Sequence, residues 1–72
     1  MSRLYSSSAI IKVLLQKDFV FVSQKGSHAK YRLYTRPALT VIVPTRRKEI
    51  PLGTFKSILK QANLTEEDFE KK

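Results

Sequence analysis

Hydrophobic and polar positions follow two different periods along this chain. In "SSSAIIKVLLQK" (6–17), Ile10, Ile11, Leu14 and Leu15 recur at helical spacing while Lys12, Gln16 and Lys17 lie off the stripe, which predicts an amphipathic helix. Ser6 or Ser7 is its expected N-cap, because a serine hydroxyl accepts a hydrogen bond from one of the first free backbone N–H groups. The clearest helix is "TFKSILKQAN" (54–63), where Phe55, Ile58, Leu59 and Ala62 stand at i, i+3, i+4 and i+7 and Asn63 suits a left-handed closing position. Thr65 then caps a short terminal helix. Leu64 and Phe69 have the spacing of a hydrophobic staple, and Glu66, Glu67 and Asp68 meet the positive end of its dipole.

Between the helices the period falls to two. "HAKYRLY" (28–34) alternates strictly, with His28, Lys30, Arg32 and Tyr34 on one face and Ala29, Tyr31 and Leu33 on the other. One face is therefore core and the other cationic. The preceding "DFVFVSQ" (18–24) holds four aromatic or β-branched residues in succession and reads as a strand buried on both faces or at one end. Lys25-Gly26-Ser27 supplies the turn, since Gly26 takes positive φ without steric cost. After a second turn around Pro37, "LTVIV" (39–43) is a third strand, stopped by Pro44, which has no N–H for a ladder. The expected fold is α+β, in the order α-β-β-β-α with a short C-terminal helix. A three-stranded antiparallel sheet carries the helices on one face, in a single domain over 1–72.

Charge narrows the choice of partners. Fourteen Lys and Arg against six Asp and Glu give a net charge of +8; residues 66–72 hold four acids and two bases, a net of −2, which leaves +10 on residues 1–65. Such a body attracts polyanions by releasing their counterions, so nucleic acid leads, with an anionic membrane or an acidic protein still open. With no cysteine there are no disulfides or thiolate metal sites, and a cytoplasmic location is the default expectation. The apolar stretches 9–15 and 19–22 are far shorter than the roughly 20 residues of a membrane span, and "MSRLYSSS" lacks the apolar run of a signal peptide. So short a chain has room only for a shallow site.

The cationic face has suitable groups for RNA cleavage, in which a 2′-hydroxyl attacks the adjoining phosphate. Imidazole titrates near neutrality and serves as base or acid, which makes His28 the candidate catalyst. Lys30 and Arg32 supply fixed positive charge, spaced about 6.5–7 Å apart along the strand, close to the spacing of successive phosphates. Lys25 and Ser27 flank Gly26 in the turn and join the RNA-binding set. Arg46-Arg47-Lys48 is the densest charge run, either a phosphate clamp or a solvated loop, and a helix N-terminus follows at 51–54. Tyr34 could stack on a base or cap the sheet edge. A lone strand histidine among lysines is also an ordinary solvated residue, although its place on the cationic face favours the functional reading.

Other chemistries lack their residues. Asp18 and Glu49 are the only acids before residue 66 and stand apart, so no metal is expected, and no cofactor either. Ser27 points away from His28 if the strand already begins there, and Gly26 and Gly53 are the only glycines, too few for a phosphate loop.

"GSHAKYR" (26–32), "VIVP" (41–44) and "IPLGTFKSILKQANL" (50–64) together resemble the HicA (YcfA-like) toxins, small ribonucleases of toxin-antitoxin pairs, in that family's order and spacing. The resemblance covers nearly the whole chain and implies a double-stranded-RNA-binding-domain-like fold. It implies metal-independent mRNA cleavage with His28 in the position of the catalytic histidine, presented by Gly26 and Ser27. It also implies inhibition by a HicB-like antitoxin that covers the site, with operator DNA met only through that antitoxin. Lys30 and Arg32 do not carry over from the family and rest on the strand-face argument. Where many members carry another histidine this chain has Ala29 and Thr45, so no second histidine is present to complete an acid/base pair. Asp18 and Asn63 replace glycines often found before the first strand and after the long helix. Two other classes remain beside the ribonuclease: a non-catalytic RNA-binding module, and a protein-interaction domain whose positive surface meets an acidic partner.

Overall fold

The structure, a computed structural model, describes residues 4–70. Its elements run α1 (Ser7–Gln16), β1 (Val20–Lys25), β2 (His28–Leu33), β3 (Leu39–Pro44), α2 (Leu52–Ala62) and α3 (Glu66–Glu70). The three strands form an antiparallel meander in the order β1-β2-β3, as the short turns predict. The fold is α+β, of the double-stranded-RNA-binding-domain-like class.

Local chemistry sets the helix ends. Ser6 is extended and its hydroxyl accepts from the Ala9 N–H at 3.1 Å, so the cap is Ser6 and Ser7 is the first helical residue. Both long helices close in the same way. After α1, Asp18 takes a left-handed φ of 74° while the Phe19 N–H reaches back to the Leu14 carbonyl at 3.0 Å; after α2, Asn63 takes 57° while the Leu64 N–H reaches Leu59 at 2.9 Å. This six-residue closure satisfies carbonyls at the helix end and needs a residue tolerant of positive φ. Asn and Asp bear that conformation better than other side chains, which explains how they stand where glycine is common.

The core lies between the sheet and the helical layer. Ile10 and Leu14 of α1, Phe55, Ile58, Leu59 and Ala62 of α2, and Ala29, Tyr31, Val41 and Val43 of the sheet are buried together. Burial on the sheet raises the Tyr31 phenol above its ordinary pKa by desolvation. Tyr5, Phe55 and Phe69 stack in a triangle with ring centroids 5.1 to 5.6 Å apart, which docks α3 against the rest.

Two expectations are corrected. Of the two alternatives for 18–24, burial on both faces fails and burial at one end holds: all six residues of β1 are exposed, while Phe19, immediately before it, enters the core at 2% exposure. The helices pack chiefly over β3, so β1 forms a sheet edge beyond their reach. Leu15, expected on the buried stripe of α1, is 52% exposed because the stripe is centred on Ile10 and Leu14.

Asp68 ties the last helix to the first. Its carboxylate accepts from the Thr65 N–H at 2.9 Å and lies 3.3 Å from the Lys17 ammonium. The Thr65 backbone hydrogen bond, then Lys17, hold its pKa below the usual value of 3.8. A carboxylate whose pKa is lowered on folding adds stability above its unfolded pKa and loses it as pH falls through the folded one. Asp68→Asn is therefore expected to lower the urea midpoint at pH 7, with the difference from the parent shrinking below about pH 4.

Candidate functional site

The site grows from the alternation of β2. Ala29 and Tyr31 are 1% and 7% exposed in the core, so His28 stands exposed and Lys30 and Arg32 half-buried on the opposite, open face. Register then assigns the neighbours. Lys25 of β1 and Pro44 of β3 flank His28 in one row; Ser23 and Ile42 flank Lys30 in the next; Val20 and Thr40 flank Arg32. Directly opposed residues have Cβ atoms about 4.5–5.5 Å apart, whereas Lys30 and Arg32 lie about 7 and 13 Å along the strand from His28. Alternation groups His28 with Lys30 and Arg32; the register adds Lys25 as a closer cation than either.

The turn that carries His28 is the two-residue Gly26-Ser27. Gly26 has φ of +59°, and a Cβ added there would meet no atom within 4 Å, so backbone conformation rather than space requires glycine. Ser27 is exposed, and its carbonyl accepts from the Thr45 N–H at 2.7 Å. This bond joins the hairpin tip to the start of the basic loop. Among the described residues His28 makes no side-chain hydrogen bond. Arg32 is more constrained: its Nε donates to Thr40 Oγ1 at 3.2 Å and its guanidinium lies 5.9 Å from the ring centre of Tyr34, itself 69% exposed.

Arg46, Arg47 and Lys48 are all exposed, but their backbone is fixed. Ser7, the buried polar residue of the core at 3% exposure, donates from its hydroxyl to the Pro44 carbonyl at 2.6 Å and accepts from the Arg47 N–H at 3.0 Å. Its own N–H donates to the Arg47 carbonyl at 3.0 Å, and the Ile50 N–H reaches the Tyr5 carbonyl at 2.8 Å. The segment before α1 thus straps the loop along its length, and Arg46 turns the chain at φ of 60°. Because Pro44 is also the cross-strand neighbour of His28, the same serine couples the basic loop to the histidine row. Sequence alone offers Ser7 only as an alternative N-cap; nothing in a run of three serines distinguishes the buried one. Thr45, at one of the places where a second histidine is absent, has a buried Oγ1 with no hydrogen-bond partner.

The basic loop carries one acid, Glu49, against three cations. The ion pair among the described residues is Lys17 with Asp68 on the helical layer, so Lys25, Lys30, Arg46, Arg47 and Lys48 hold no carboxylate partner. No group of three or more His, Cys, Asp or Glu among the described residues is arranged to hold a metal ion. No helix among them is long and apolar enough to cross a membrane. The arrangement can attract a polyanion, grip successive phosphates and present one imidazole to them.

Fold and site together define a small basic α+β domain with an open cationic sheet face. The profile of the family described as "HicA toxin of bacterial toxin-antitoxin" matches residues 7–64, and the chain belongs to this family. It is therefore a toxin of the kind paired with an antitoxin. No curated relative matches the chain.

Ser7→Ala leaves the Pro44 carbonyl and the Arg47 N–H without their partner, which is expected to cost about 1–3 kcal/mol in urea unfolding. Amide exchange should accelerate at Arg47 while the β1–β2 ladder keeps its protection.

Proposed function

We propose that this toxin is a metal-independent endoribonuclease that cleaves mRNA through His28 and is restrained by a HicB-like antitoxin. The observation that carries the reading is the exposed His28 standing at the end of a cationic row, with Lys25 across from it and no acid beside it. In the reaction, neutral His28 removes the proton from a 2′-hydroxyl as its oxygen attacks the adjoining phosphorus. The bond to the 5′-oxygen breaks, and that oxygen takes a proton from water or from the Lys25 ammonium, leaving a 2′,3′-cyclic phosphate and a 5′-hydroxyl. Lys25 faces the phosphate whose negative charge grows in the transition state, where fixed positive charge has most effect. Lys30 and Arg32 hold the next phosphates along the strand. Ser27 offers a hydroxyl at the turn, and Arg46, Arg47 and Lys48 extend the grip along the loop. Operator DNA is met through the antitoxin, and the protein works in the cytoplasm.

His28→Ala is expected to lower the cleavage rate of bare RNA by about 10²- to 10⁴-fold, the usual range for a general acid or base, with equal parent activity in the presence of EDTA. Equal cleavage by parent and variant, or loss of parent activity with chelator, would sink the mechanism.

A second reading is a non-catalytic RNA-binding module, and one observation favours it: among the described residues no hydrogen bond orients the His28 imidazole, whereas catalytic bases are commonly held by a partner. Both readings require phosphate contacts. The logarithm of RNA affinity should fall linearly with that of salt, and Arg47→Ala should reduce the slope by about 0.7 for a single strand. An interaction domain facing only an acidic protein would bind no RNA even at low salt.

A further inference from the structure

β1 has the sequence of an interior strand and the position of an edge. Val20, Phe21 and Val22 follow one another and are 46%, 54% and 37% exposed. The two edges of the sheet are treated differently. On β3, α2 lies alongside and the Gln61 carbonyl oxygen accepts the Ile42 N–H at 3.0 Å, occupying a donor of that strand. On β1, the outward backbone groups meet no partner among the described residues, and β2 is its sole pairing strand. An open edge carrying large apolar side chains is a template for an added strand.

We propose that this edge receives an extended segment of the antitoxin, a strand alternating acidic and apolar residues. This rests on the reading of the chain as an RNA-cleaving toxin held by a protein antitoxin. The alternation of the segment follows from the two faces of β1. On the open face, Lys25 lies in the His28 row and Ser23 is paired with Lys30, so side chains of an added strand would emerge beside Lys25, with Lys30 one strand further in, and carboxylates suit them. On the other face Phe21 packs edge-on against Tyr31, with centroids 5.7 Å apart, and still leaves half of its surface uncovered; apolar side chains suit that side. The bulge at Val22 interrupts regular pairing, which leaves residues 23–25, next to His28, as the regular stretch for the new ladder and 20–22 as its apolar flank.

Charge selects this occupant over a second copy. Two chains of +8 repel, and β1 contains Lys25 but no acid to answer it. Seated on the edge, the segment sets carboxylates among the cations that would grip phosphates, so its binding and that of RNA are mutually exclusive.

The test uses a peptide of about eight residues alternating glutamate and valine, a length ordinary for a strand, titrated to millimolar concentration onto the full isotope-labelled chain. Expected are slowed exchange at the Gln24 amide, the one of residues 23–25 that faces outward in this register, and displacement of RNA. Methylating the peptide's ladder-forming backbone nitrogens should weaken binding about tenfold, the effect of losing two or so hydrogen bonds. Val22→Lys, outside the catalytic row, should weaken the peptide and leave RNA cleavage in place. Equal binding of the methylated peptide, protection confined to the basic loop, self-association through β1 in place of peptide binding, or no binding at low salt would each overturn the proposal. Cleavage by the peptide-free chain and by His28→Ala is measured in parallel. Loss of the His28 effect alone refutes the ribonuclease reading, while loss of β1 protection alone refutes the edge.

Discussion

The site depends on the period-two alternation of residues 28–33. Burying Ala29 and Tyr31 forces His28, Lys30 and Arg32 to the open face, because a one-residue slip would take an imidazole and two cations into a core that offers no acid to pair with them. The cost of burying unpaired charge thus sets the register of the whole hairpin. Gly26 and Ser27 then fix where the alternation begins, and β3, paired with β2 from Pro44 to Leu39, inherits the register. A chain of this size has few such constraints, and this one determines both the core and which side chains stand on the open face.

How much was legible in the sequence follows from the range of each interaction. The second helix, the hairpin turn, the meander and the cationic face rest on spacings of two to seven residues, which a linear reading captures. Asn63 also reads correctly as a helix-closing residue, since the left-handed closure of a helix is a local event, whereas Asp18, read with the strand, closes α1 in the same way. β1 misled because four apolar residues in a row signal burial only if something covers them. Coverage is a property of the helical layer, which lies toward β3. Leu15 misled for the same reason: a stripe one residue too wide cannot be narrowed without knowing what it faces.

The charge of the basic loop is legible in the sequence, but its order is not, for a different cause. Its order comes from Ser7, bound to Pro44 and Arg47 at separations of 37 and 40 residues, and such bonds leave no trace in local composition. The family resemblance supplied the position of His28, but the cross-strand approach of Lys25 required the register. The absent second histidine therefore has a different significance in three dimensions: the row beside His28 is filled by a lysine, a group able to carry charge where a phosphate gains it.

The distribution of acids completes the electrostatic design. Glu66, Glu67, Asp68 and Glu70 lie on α3, which packs against α1 in the helical layer, and Lys17 is neutralised there by Asp68. The cations of β2 and of the hairpin tip form no ion pair among the described residues, and those of the loop have a single acid, Glu49, beside them in sequence. A uniformly basic surface would draw a polyanion to any side of the molecule, whereas this separation directs the field out through the open sheet face. Screening limits such steering to about 8–10 Å at ordinary salt, so the cations must lie close together to act in concert. The Thr45–Ser27 bond and the Ser7 strap bring the loop alongside the hairpin. The self-repulsion it creates is borne by a backbone tied at both ends, which is why the loop is the part of this small domain that needs a buried polar residue.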